Sequence, residues 1–181
     1  MELVITITKA DVIAEVNKTS AYIGAKTIAQ DVENLYYNVS TIKEDAEMLE
    51  RYWREACSNV AKVAKEYVRE AGMSDTDWTL TLDMPTKYNN AFDGVLKQQV
   101  FSYIVRAMLY EWLLTCNYDV NALKVYIDEC GGLLKGIDDI LHARTFTRAA
   151  DGPTGDNGYG GDMRQNVGPV KVEVIELRGK S

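Results

Sequence analysis

Val100-Phe101-Ser102-Tyr103-Ile104-Val105-Arg106-Ala107-Met108-Leu109-Tyr110-Glu111-Trp112-Leu113-Leu114 is the stretch that decides the fold. A helix through it is apolar nearly all round, and such a helix must be enclosed by other elements. The run is too short to cross a bilayer and is interrupted by Arg106 and Glu111, so it reads as the centre of a soluble bundle. The predicted helix starts at Asn89 or Asn90 and ends at Cys116.

On the N-terminal side, Trp78, Leu80, Leu82 and Met84 alternate with Thr79, Thr81 and Asp83 until Pro85 stops the run, a period-two strand. Leu3, Ile5 and Ile7 show the same period at the start of the chain. Thr8, with Asp11 three positions on, resembles a capping box for a first helix that carries Val12, Ile13, Val16, Ser20 and Ile23 and ends near Gly24. Residues 25–40 have no clean period and read as loop. Thr41-Ile42-Lys43-Glu44 is a better capping box. The helix it opens carries Ile42, Ala46, Leu49, Trp53, Ala56, Val60, Val63 and Tyr67, and Gly72 closes it. At a rise of about 1.5 Å per residue it is expected to span about 45 Å.

On the C-terminal side, Asn117-Tyr118-Asp119 makes a turn. A last helix then places Leu123, Tyr126, Ile127, Cys130, Leu133, Leu134, Ile137, Ile140 and Leu141 on one face. Gly131-Gly132 weakens that helix and leaves room for another backbone. Short connections favour antiparallel neighbours. The expected fold is mainly α: a bundle of about four helices with short accessory β-strands and a Gly-rich C-terminal arm that ends in a strand.

Three parts follow: a helical body over 1–147, a tether over 148–169 and a terminal strand arm over 170–181. The tether contains Asp151-Gly152-Pro153-Thr154-Gly155-Asp156-Asn157-Gly158-Tyr159-Gly160-Gly161-Asp162, a composition that cannot bury a core. Beyond it, Val170-Lys171-Val172-Glu173-Val174-Ile175-Glu176-Leu177 alternates as a strand does. A lone strand needs a sheet edge, in its own body or in a neighbour. Val170, Val172, Val174 and Leu177 are therefore expected to carry partner contact.

A net charge of −7 and a pI near 4.8 argue against a general nucleic-acid binder, which needs clustered Lys and Arg. Lys135, His142, Arg144 and Arg148 form the one basic stretch and read as the solvated end of a helix. Cys57, Cys116 and Cys130 have no metal-ligand spacing and read as small hydrophobes in a reducing compartment. Met1 to Ile7 lacks the cationic region and cleavage site of a signal peptide, and a cytoplasmic, soluble chain is expected.

Chemistry is sparse. His142, the single histidine, has no Ser or Cys placed beside it by a recognisable motif. Glu44, Asp45, Glu47, Glu50 and Glu55 alternate with Lys43, Arg51 and Arg54, which describes a charge-laced, solvated helix face. Gly131 to Gly136 lacks the preceding strand and the Lys-Ser or Lys-Thr ending of a phosphate loop. Asp151, Asp156, Asn157 and Asp162 do not have the spacing of a calcium loop, so they read as linker. No catalytic residue, metal or cofactor is expected. Aromatics are plentiful, with eleven tyrosines and three tryptophans. Tyr36, Tyr37 and Tyr88 fall in predicted loops or helix ends, where they serve either as interface contacts or as local packing against the bundle.

The order of parts can now be set beside known proteins. A short strand leads into Lys9-Ala10-Asp11-Val12-Ile13-Ala14-Glu15-Val16, and a loop is followed by Asp45-Ala46-Glu47-Met48-Leu49-Glu50-Arg51-Tyr52-Trp53-Arg54-Glu55-Ala56. Two further helices carry Phe101-Ser102-Tyr103-Ile104-Val105-Arg106-Ala107-Met108 and Tyr126-Ile127-Asp128-Glu129-Cys130. Over residues 1–145 this order resembles structural proteins encoded by phages of Bacteroides-type gut bacteria, and more distantly the helical head–tail connector (adaptor) proteins beneath the portal of tailed phages. The resemblance implies a non-enzymatic virion protein, made in the host cytoplasm, of which about a dozen copies form a neck ring between portal and tail. The arm would reach the portal or an adjacent subunit. DNA would slide through the ring without sequence-specific binding, which an acidic wall permits, and no membrane is involved. The alternative from the residues alone is a cytoplasmic helical module, regulatory or binding, that works as a dimer.

Overall fold

The computed structural model describes residues 1–28, 45–116 and 118–144. Along them run β1 (Glu2–Thr8), α1 (Lys9–Ile28), α2 (Ala46–Val63), β2 (Val68–Met73), β3 (Asp77–Asp83), a 3-10 turn (Asn90–Phe92), α3 (Asp93–Thr115) and α4 (Val120–Leu141). The body is mainly helical and carries one small antiparallel sheet of order β1-β3-β2.

Alternation places the sheet. Leu3, Ile5 and Ile7 of β1 lie opposite Leu82, Leu80 and Trp78 of β3, and all six are buried. Their common face joins Trp53, Tyr52, Ile104 and Met108 in one apolar cluster. Glu2, Val4 and Thr6 point the other way. The residues on the two faces thus differ as period two demands.

α3 is buried on several sides at once, through Leu96, Val100, Tyr103, Ile104, Val105, Met108, Leu109, Trp112 and Leu113. It packs against α1, α2, α4 and β1, the central position its composition requires. Asn89 caps the turn before it, its side chain accepting from the Ala91 N–H at 3.2 Å. At the other end of α3, Leu109 and Leu113 meet Ile23 of α1 and Leu123 of α4 in a second cluster.

Two boundaries differ from the sequence reading. α1 continues past Gly24, which is buried within it, to Ile28. α2 stops at Val63, so it is about 27 Å long instead of 45 Å. Past Ala64 the chain turns, with Tyr67 N–H and Val68 N–H both donating to the Ala64 carbonyl. The Tyr67 carbonyl then accepts from Asp83 N–H at 2.7 Å, and β2 begins. Lys65, Glu66, Arg69, Glu70 and Ala71 are good helix formers, yet pairing with β3 overrides that local preference. Gly72, expected to close the helix, sits in β2 opposite Thr79. The Thr41 capping box, Tyr36, Tyr37, most of the predicted loop, the tether and the arm lie outside the described residues.

The glycines of α4 also divide differently. A Cβ on Gly131 or Gly132 would meet nothing within 4 Å, so no backbone approaches there. A Cβ on Gly136 would fall 2.5 Å from Gln99 Oε1 of α3, which makes Gly136 the close-contact position. Gly131→Ala and Gly132→Ala are each expected to stabilise the protein by about 0.5–1 kcal/mol in urea unfolding, because helix entropy improves with no steric cost. Gly136→Ala should give no such gain until Gln99 is shortened to alanine.

Candidate functional site

Two places in the body have a form that chemistry or a partner can use. One is a groove of about 250 Å³ where α2, α3 and α4 meet, lined by Tyr52, Asn59, Tyr103, Tyr110, Glu111 and Cys130 among others. The other is the outer edge of β2.

In the groove, α2 supplies Tyr52, whose ring lies beneath the Arg51 guanidinium at 5.2 Å and whose hydroxyl meets Thr115 Oγ1 at 2.6 Å. Burial raises the Tyr103 hydroxyl, and the Asn59 side chain of α2 partly offsets this. Burial also raises Glu111, and Glu55 across the groove adds to it while Arg51 opposes it. The Cys130 thiol is pushed up to about 11, by burial first and then by Glu129. A thiol held that high is neutral at pH 7 and a poor nucleophile. The groove is therefore a tyrosine-walled, carboxylate-edged pocket with no activated nucleophile among its lining residues.

Among the described residues no three His, Cys, Asp or Glu side chains gather as a metal site, and no helix is long and apolar enough to cross a membrane. His142 ends α4, with Nδ1 2.8 Å from the Asp138 carbonyl and its ring edge-on to Tyr67. Arg144 donates to the Leu141 and Ala143 carbonyls and to the Tyr67 hydroxyl. Both side chains thus bond to carbonyls at the C-terminal end of α4, and Arg148 of the same stretch lies outside the described residues. Of the α2 acids, Glu50 is held by Lys9 at 3.0 Å and Arg54 at 2.9 Å, which keeps its carboxyl below the usual range. Glu47 and Glu55 are exposed. All three cysteines are free, Cys57 is fully buried, and burial raises its thiol too.

Of the expected contact residues only Tyr88 is described, and of its two readings the structure favours local packing. It is 4 % exposed and part of the main apolar cluster, so it serves local packing and offers no surface. Burial, then nearby Asp93, pushes its hydroxyl up to about 12, although the two side chains do not meet in hydrogen-bond geometry. Its backbone forms an isolated bridge with Arg144. Tyr36, Tyr37, Val170, Val172, Val174 and Leu177 lie outside the described residues.

The sheet edge needs its hydrogen-bond parity. Thr76 and Met84 of the β3 segment bond toward the β1 side, through Lys9 N–H to Thr76 O and Met84 N–H to Met1 O. Asp77 and Asp83 bond toward the β2 side, through Ser74 N–H to Asp77 O and Asp83 N–H to Tyr67 O. In an antiparallel sheet the direction alternates by residue. Glu70 and Gly72, opposite Thr81 and Thr79, therefore face β3, while Ala71 and Met73, opposite Leu80 and Trp78, aim N–H and C=O at the open side. From Arg69 to Met73 every residue of β2 is exposed. β2 has no further strand beside it among the described residues.

No family model, no curated protein and no solved structure matches this chain.

Glu111 gives a pH-dependent test of the groove. Its folded-state pKa lies above the ordinary 4.5, so its ionisation penalises the fold as pH rises through that value. Glu111→Gln should raise the thermal midpoint at pH 7 and have little effect below about pH 4, where the carboxyl is protonated in both states. An equal shift at both pH values would show that the carboxylate is not desolvated in the groove.

Proposed function

We propose that the protein is a non-enzymatic structural subunit that assembles with itself, of the head–tail connector or neck-ring kind, and that its C-terminal arm fastens one subunit to the next or to the portal. The observation that supports this reading is that β2 has no further strand on its outer side among the described residues, in a chain that also has a strand-like pattern over residues 170–177. An exposed edge strand is a standing invitation to pairing, and proteins ordinarily cover it or blunt it. The remainder of the body supports the same role. α1, α2 and α4 pack around α3, which also packs against β1 of the sheet. The acidic balance suits a channel wall along which DNA slides.

Head-to-tail contacts of this type close into rings when the rotation between neighbours allows. Native mass spectrometry on the full chain should show closed rings of about ten or more copies. The chain ending at Ala150 should keep the helical circular dichroism and thermal midpoint of the body but run as a monomer. A discrete dimer that survives truncation would support the dimeric regulatory module instead. A truncated body that unfolds would show that the terminal strand belongs to its own sheet.

A further inference from the structure

We infer that the outer edge of β2 is the acceptor site for residues 170–177 of a second copy of this chain. The inference rests on the self-assembling reading above and names the surface through which it would work.

Both edges of the sheet carry outward backbone groups, and two observations select β2 over β1. The parity of the ladder leaves the N–H and C=O of Ala71 and Met73 directed outward, past the register shift between Val68 and Glu70, so an added strand finds its backbone partners at these two residues. The side chains of Val68, Ala71 and Met73 share the face of Leu82, Leu80 and Trp78, yet Ala71 is exposed and Met73 is 40 % exposed. On β1 the matching residues, Leu3, Ile5 and Ile7, are sealed at 9 % exposure or less. The apolar face of the sheet is therefore finished at β1 and unfinished at β2. Finally, the described chain ends beside β2: Arg144 Nη2 donates to the hydroxyl of Tyr67, the residue before Val68.

The donor segment fits by pattern. Paired as a strand, Val170, Val172 and Val174 would share one face and extend the apolar row of Ala71 and Met73. Lys171 and Glu173 would then fall on the other face, with Glu70, Thr79 and Thr81. Length favours a second copy over the chain's own edge. Spanning β2, about 20 Å long, needs on the order of six extended residues. About 25 residues separate Arg144 from Val170, enough for on the order of 80 Å when extended, and a connection this long is out of proportion to a local return.

The test mixes two full-length variants, one isotopically labelled. Ala71→Pro removes an outward N–H without touching the bonds to β3, which an edge strand tolerates. Glu173→Pro combined with Val174→Pro blocks the arm in either register, because one of two adjacent residues must face the acceptor. Each variant alone should be monomeric in native mass spectrometry, at least tenfold less associated than the unaltered chain. Their mixture should give labelled–unlabelled pairs, since one retains the arm and the other the edge. If Ala71→Pro shifts the thermal midpoint, Met73→Pro, the other outward N–H, takes its place. Rings that persist in Ala71→Pro would overturn the β2 assignment while leaving the ring reading intact. Pairing confined to dimers in the unaltered chain, and restored in the mixture, would sink the ring and uphold the acceptor. A mixture that stays monomeric, or an unaltered chain that does so, would overturn exchange between copies.

Discussion

The pairing of β1 with β3 is the constraint on which the rest of the body depends. Leu3 with Leu82, Ile5 with Leu80 and Ile7 with Trp78 bring together residues more than seventy positions apart. Each of those side chains is almost entirely removed from water, and burial of a large apolar side chain is worth about 1.5–3 kcal/mol. Without that ladder α1 would have no fixed origin, because its first N–H, on Lys9, is satisfied by the Thr76 carbonyl at the β2–β3 turn. The Ser74 side chain closes the same turn, accepting from Asp77 N–H and Thr76 N–H. From there Lys9 reaches Glu50 and ties the start of α1 to α2.

The same ladder creates the feature that most needs a partner. A strand in the middle of a sheet has neighbours on both sides, and β3 obtains its second neighbour from residues that would otherwise extend α2. Taking that segment completes β3 and leaves β2 with no further strand on its other side among the described residues. The helices α1 to α4 and the inner sheet face close a core around Trp53, Ile104 and Met108, but they do not reach over Ala71 and Met73. Rigid helical packing on one side and an open backbone row on the other is a sound arrangement for strand addition. The edge is held in register by the core and loses little entropy on pairing.

Much of this was legible in the residues. The alternation of Leu3, Ile5, Ile7 and of Trp78, Leu80, Leu82 marked β1 and β3. The all-round apolar surface from Val100 to Leu114 identified the central helix. What failed was local: Lys65 to Ala71 favours a helix on its own, Gly72 resembles a helix stop, and only the distant β3 turns the segment into a strand. Hydrogen-bond parity at Ala71 could not be read from the chain, since it depends on which strand lies on which side of β3. The tyrosine groove escaped notice for a similar reason, because Tyr52, Tyr103 and Cys130 come from three helices and share no spacing. For Tyr88 the residues left interface contact and local packing both open, and the choice depends on the apolar cluster that surrounds it in the fold.

Amide hydrogen exchange of the full-length chain, followed residue by residue at low and high protein concentration, tests the central claim most directly. Ala71 and Met73 amides should exchange fast when dilute and become protected as concentration rises, while Glu70 and Gly72, already bonded to β3, should be protected throughout. Ala71 and Met73 amides that exchange fast at every concentration, in a sample that is nonetheless assembled, would contradict the account.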